Sequence, residues 1–130
     1  MDALDTGNVR VTPVGDQCLL FTMYTNDEIK FSDIVQIFRF LDQFNGTVPG
    51  IVERVGCFSL PYEVQNILMK EAVLRFKALA YIDRNYRDRQ LTHYAKLTYM
   101  KSIPVESFSD CKTAMNWLAQ YGTLPSVVEI

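Results

Sequence analysis

Two stretches decide the fold: Lys77-Ala78-Leu79-Ala80-Tyr81-Ile82-Asp83 and Pro104-Val105-Glu106-Ser107-Phe108-Ser109-Asp110. Ala78 to Ile82 is an unbroken apolar run of strand length, the pattern of a strand covered on both faces. Asp83-Arg84-Asn85 breaks the run and leads into a helix over Tyr86 to Met100, with Leu91, Tyr94, Ala95 and Thr98 along one side. Pro104 ends the connection, and Val105 to Phe108 reads as a last short strand. Ser109-Asp110 then caps a final helix carrying Ala114, Trp117, Leu118 and Tyr121, stopped at Gly122. Strand, helix, strand, helix in succession calls for right-handed crossovers and parallel pairing.

Working back from this unit, Asn8 to Val14 alternates apolar and polar residues, as a half-buried strand does. Gly15-Asp16 supplies a turn, and Cys18 to Tyr24 forms a more deeply buried strand, so the two make an antiparallel hairpin. Asn26, Asp27 and Ser32 all compete to cap the next helix, whose body is fixed by Ile34, Phe38 and Leu41 and whose stop is Asn45-Gly46. Ile37, Phe40 and Phe44 form a second apolar stripe on it. A helix apolar on two sides is either buried on both or half of an interface. Gly50 to Val55 follows Pro49 as a short strand. Phe58-Ser59-Leu60-Pro61 opens another helix, with Ser59 as N-cap and Val64, Ile67, Leu68, Ala72 and Arg75 continuing it. The order β-β-α-β-α-β-α-β-α predicts an α/β protein with a mixed sheet. Residues 1–130 form one domain, with a core over 8–121 and a tail over 122–130.

Composition bounds the function. The chain has 130 residues, 13 Lys+Arg and 15 Asp+Glu, for a net charge of −2 and a pI near 5.3. That balance provides no electrostatic footprint for nucleic acid. Met1-Asp2-Ala3-Leu4-Asp5 carries two acids and no apolar run, and no stretch approaches the ~20 residues of a membrane span. The expectation is a cytoplasmic protein without membrane insertion. Cys18, Cys57 and Cys111 contain no CxxC pair and read as small buried hydrophobes in a reducing compartment.

The order of elements resembles the STAS fold of sporulation anti-anti-sigma factors, and more closely the small SpoIIAA-like bacterial proteins. Lys77 to Asp83 resembles their fourth strand, and Arg89 falls where relatives often carry an arginine. The closing pattern of Pro104, Phe108, Asp110, Ala114 and Trp117-Leu118 is similar to theirs. The resemblance implies a non-enzymatic protein-interaction or regulatory module. In sigma-regulating STAS proteins a phosphorylated serine opens the second helix, which makes Ser59 a candidate for modification here. The acid before it and the Ser-Gly after it are absent: the loop reads Val55-Gly56-Cys57-Phe58-Ser59-Leu60-Pro61.

Other constellations bear on chemistry. Arg84, Arg87 and Arg89 cluster at a helix start and form a candidate anion site, set against internal pairing with Asp83 and Asp88. His93, the only histidine, has no sequence-near Ser, Cys or carboxylate to complete a triad, so no catalytic residue is assigned. Nothing points to a zinc site, and no glycine-rich phosphate loop is present, so neither metal nor cofactor is expected. Glu53 is a candidate acid with Arg54 or Arg75 as its partner. Seven Tyr, eight Phe and one Trp give more apolar surface than a small sheet readily covers, which makes Ile37, Phe40 and Phe44 a candidate interface and a homodimer a candidate assembly. The alternative is a small-molecule carrier or sensor holding an apolar or anionic ligand between sheet and helices.

Overall fold

The N-terminal hairpin forms where alternation and Gly15 place it. In the computed structural model, which describes residues 3–128, β2 (Val9–Val14) and β3 (Cys18–Met23) pair antiparallel, with Val11 opposite Phe21. Gly15 turns the chain with φ +57, a left-handed value that favours glycine. A two-residue strand, β1 (Leu4–Asp5), adds to the outer edge of β2. Its two residues carry no periodicity that marks a strand in the sequence.

From β3 onward the pairing is parallel: β4 (Val48–Arg54), β5 (Phe76–Ile82) and β6 (Val105–Phe108) add one after another, so the sheet runs β1 to β6 in chain order. The connections are α1 (Phe31–Leu41), α2 (Tyr62–Glu71) with a 3-10 turn (Ala72–Leu74), and α3 (Tyr86–Leu97). Right-handed crossovers between strands added in one direction put all three helices on one face. The last helix, α4 (Cys111–Leu118), returns to the other face, where Ala114 and Leu118 pack on Ile51, Ala78, Ala80 and Ile82. Val9, Phe21, Leu79 and Tyr81 point instead to α1–α3. The double coverage of β5 is thus observed, its alternate residues serving two separate cores.

Gly50 explains how the larger face fits. A Cβ there would lie 2.9 Å from both the Leu79 and Phe21 side chains, so its absence lets the Phe21 ring settle across β4 and meet Phe76 edge-on at 5.5 Å.

Several boundaries differ from expectation. None of Asn26, Asp27 and Ser32 caps α1; Asp33 in its first turn reaches back and accepts from the Lys30 N–H at 2.8 Å and from Asn8 Nδ2 at 2.9 Å. Ser59 is not an N-cap. Helix α2 begins three residues later, after Pro61, whose extended ψ of 156° ends the preceding loop. β4 begins earlier than expected, at Val48, because Pro49 sits at a register shift where the ladder tolerates a missing N–H. α3 ends at Leu97 rather than Met100. Asp110 caps α4 as expected, accepting from the Thr113 N–H at 2.9 Å. The tail is pinned: Phe44 bridges Val127, and Asn45 N–H donates to the Ser126 carbonyl at 2.7 Å.

The proposed interface stripe does not survive. Ile37 and Phe44 are each only 5% exposed and belong to the core under α1, while Phe40 is half-buried with its ring against Phe44. Both apolar sides of α1 are covered within the monomer, by the sheet and by α2 and the tail. Of the cysteines, Cys18 is buried as expected, but Cys57 and Cys111 are exposed, the first in the loop after β4 and the second at the start of α4.

Candidate functional site

At the carboxyl ends of β4, β5 and β6 the structure places a buried ion pair that sequence reasoning missed. Arg54, the last residue of β4, follows Gly50 and Val52 along the inward register, so its side chain enters the α1–α3 face. Asp83, one residue past β5, receives it. Arg54 Nη1 donates to Asp83 Oδ1 at 2.8 Å, and the two side chains are 5% and 0% exposed. Ser107 in β6 donates to the other Asp83 oxygen at 2.7 Å. Nη1 also donates to Thr92 Oγ1 at 3.0 Å and to the Asp88 carbonyl at 3.3 Å, both in α3. The guanidinium lies over the Tyr81 ring, 4.7 Å from its centroid. One arginine therefore ties three strand ends to the helix above them. Removing either partner would leave a buried charge uncompensated, at a cost of about 3–5 kcal/mol.

In front of Arg54 lies a cleft of about 160 Å³ between α2, α3 and the loop after β4, lined by Gly56, Ser59, Gln65, Arg87, Leu91 and Tyr94 among others. Beside it, under α1 and α2, is a partly open apolar recess of about 80 Å³ lined by Phe21, Val52, Leu68, Leu79 and Met100 and their neighbours. Arg54, Phe58, Leu60 and Tyr99 line both spaces, so the guanidinium stands where the polar mouth meets the apolar interior. Two arginines line these spaces and no carboxylate does. Burial raises the phenols of Tyr81, far above the usual tyrosine value, and of Tyr99, so both remain hydroxyl donors at neutral pH. Gly56 shapes the mouth: a Cβ there would lie 2.0 Å from the Thr25 carbonyl oxygen, so no other residue keeps this loop against the strand-end turn.

The structure divides the arginine cluster. Arg84 is exposed and pairs with Glu53 Oε2 through Nη2; that hydrogen bond is the first cause of its raised pKa. Arg87 faces the cleft, with Nη1 3.9 Å from the Cys57 sulfur. Arg89 is exposed outside it. The expected internal pairing with Asp83 and Asp88 is replaced: Asp83 turns inward to Arg54. Asp88 is also buried; its carboxylate accepts from the Arg84 backbone N–H and its own N–H donates to the Asn85 N-cap side chain at 2.8 Å. Glu53 takes neither Arg54 nor Arg75 as partner; Arg75 pairs with Asp42 at 3.0 Å across the chain. Ser59 is exposed at the cleft mouth; its N–H donates to the Asp27 carbonyl and its carbonyl accepts from the Ile29 N–H. Helix α2 starts three residues further on, so Ser59 does not sit at its N-terminus, although the cleft brings it together with Arg87. His93 lies exposed on α3, outside the cleft. Among the described residues no cluster of three His, Cys, Asp or Glu is placed to hold a metal, and no helix is long and apolar enough to cross a membrane.

This mixed sheet with three helices on one face and one on the other is a SpoIIAA-like fold. A solved structure of an uncharacterised protein of the DUF3478 family, described as SpoIIAA-like and coming from Shewanella loihica PV-4, aligns with it at a TM-score of 0.59. The alignment covers 85% of this chain and 91% of that one, at 17% identity. No family model matches the sequence. No curated protein matches it either.

Proposed function

We propose that the chain is a non-enzymatic binding module that works as a carrier or sensor of a small molecule held in the cleft between α2 and α3. The observation that carries this reading is the junction at Arg54, which lines both a cleft holding Arg87, Ser59 and Gln65 and an adjoining apolar recess that the surrounding side chains leave unfilled. Protein interiors pack to nearly crystalline density, so an apolar recess that shares its lining with a neighbouring cleft is a place where a ligand replaces missing contacts. No nucleophile with an adjacent base lines either space, which favours binding over turnover. Native mass spectrometry of protein isolated from its host tests the reading: a persistent added mass, lost in a Val52→Phe variant that fills the cavity, is expected. Clean apoprotein, together with no shift of cleft resonances against a library of small apolar and anionic compounds, sinks it.

Self-association is a second reading, and the exposed outer side of α3 favours it over α1. Tyr86 is 69% and Leu97 62% exposed there. A dimer by light scattering that reverts to monomer on Leu97→Ser supports it; a monomer at all concentrations removes it.

A further inference from the structure

We propose that the ligand is an amphiphilic monocarboxylate with a short apolar tail, its carboxylate on Arg54 and its tail in the cavity; this rests on reading the cleft as a ligand site. The charge count is the first reason. Asp83 stands behind Arg54 and balances it, whereas Arg87 has no carboxylate partner among the described residues. The lined space therefore carries one unmatched positive charge, which a single negative charge satisfies.

The hydrogen-bonding pattern of Arg54 is the second. Its hydrogen bonds to Asp83, Thr92 and the Asp88 carbonyl all leave from Nη1; none of them uses Nε or Nη2, and the Tyr99 hydroxyl is the other polar group beside the guanidinium. Those two nitrogens form one edge of the planar guanidinium. The side chain is more than nine-tenths buried, yet it lines both spaces. A two-nitrogen edge held rigid by Asp83 and Thr92 matches the two oxygens of a carboxylate in a bidentate pair. A dianionic phosphate would bring a second charge that nothing in the cleft answers.

The interior sets the tail. Apart from Arg54, the inner cavity is walled by aliphatic and aromatic side chains, with the neutral Tyr81 and Tyr99 as its other polar groups. On the scale where a cavity of about 150 Å³ admits the six carbons of benzene, about 80 Å³ accommodates about three carbons, and because the recess is partly open a tail of up to about five fits.

Titration of the labelled protein with butyrate, hexanoate, decanoate, hexanol and hexyl phosphate, followed by amide shifts and calorimetry, tests this. Hexanoate is expected to bind best and hexanol at least about tenfold more weakly, since a charge-assisted pair is lost. Arg54→Lys keeps the charge opposite Asp83 but not the fork, and should lower hexanoate affinity about tenfold while leaving hexanol unchanged. Arg87→Gln, at an exposed position where folding is not at stake, should weaken every anion and no alcohol. Hexanol equal to hexanoate, hexyl phosphate tighter than hexanoate, or decanoate tighter than both overturns the assignment while leaving a ligand site in place. No shift with any compound at millimolar concentration overturns the site itself.

Discussion

Where α4 lies on the sheet, the strands present Ala78, Ala80, Ile51 and Ile82, and the helix answers with Ala114 and Leu118. Where α1, α2 and α3 lie, the strands present Phe21, Leu79, Tyr81 and the charged Arg54, with a void among them. Small residues let one helix sit close and dry. Large residues hold three helices further out, and what they do not fill becomes the site. Packing quality on one face frees the other to be imperfect, because stability from close contact is spread over the whole domain.

The sharpest way to break the comparison is at the ion pair. Arg54→Ala should destabilise by about 3–5 kcal/mol in urea unfolding, whereas the paired replacement Arg54→Met with Asp83→Leu should come out near neutral. Equal losses in both would show that the arginine acts through shape rather than compensated charge. Next comes volume. Ala80→Leu under α4 should cost about 1–3 kcal/mol through overpacking, while Val52→Leu beside the cavity should be neutral or stabilising by up to about 1 kcal/mol. If the two substitutions cost the same, the faces are packed alike.

A smaller effect follows from Cys18, on the α4 face, whose thiol is pushed up to about 11 from 9.0 by burial, with Cys111 adding to the rise. The folded state holds that proton after the unfolded chain has released it. This stabilisation is complete below pH 9 and is lost as pH rises toward 11, by up to about 3 kcal/mol, and Cys18→Ala should remove that slope. At pH 8 a thiol reagent should modify Cys57 and Cys111 at once and Cys18 only on unfolding; three fast thiols would contradict the dry packing of this face. The smallest effect is at the edge of the site, where Asn85→Ala removes the cap of α3 and should cost about 1 kcal/mol without changing ligand affinity by more than twofold.

How much of this was legible in the residues depends on range. Val105 to Phe108 and the Asp110 cap stand where local pattern puts them, because strand period and capping are decided within four residues. The burial of Ala78 to Ile82 on both faces is equally local. The site is not. Arg54 and Asp83 are 29 residues apart, and only the adjacency of β4 and β5 joins them. One signal was present: Arg54 falls two and four residues after Val52 and Gly50, on the inward register of a strand, where an unpaired charge is not tolerated. Reading Glu53 and Arg54 as neighbours in sequence hid that they point to opposite faces. Ser59 misled for a related reason, since a serine before a proline resembles a helix start whether the helix begins there or three residues on.

The agreement between strand order and chain order also bears on how the protein is made. Each strand pairs with the one synthesised just before it, so a chain emerging from the ribosome always meets a finished edge, and no strand waits for a later one to be inserted. The one cover that arrives late is α4. Until Cys111 to Leu118 emerges, the face it closes stands open to other chains, and its alanines keep the adhesive area of that exposed intermediate small.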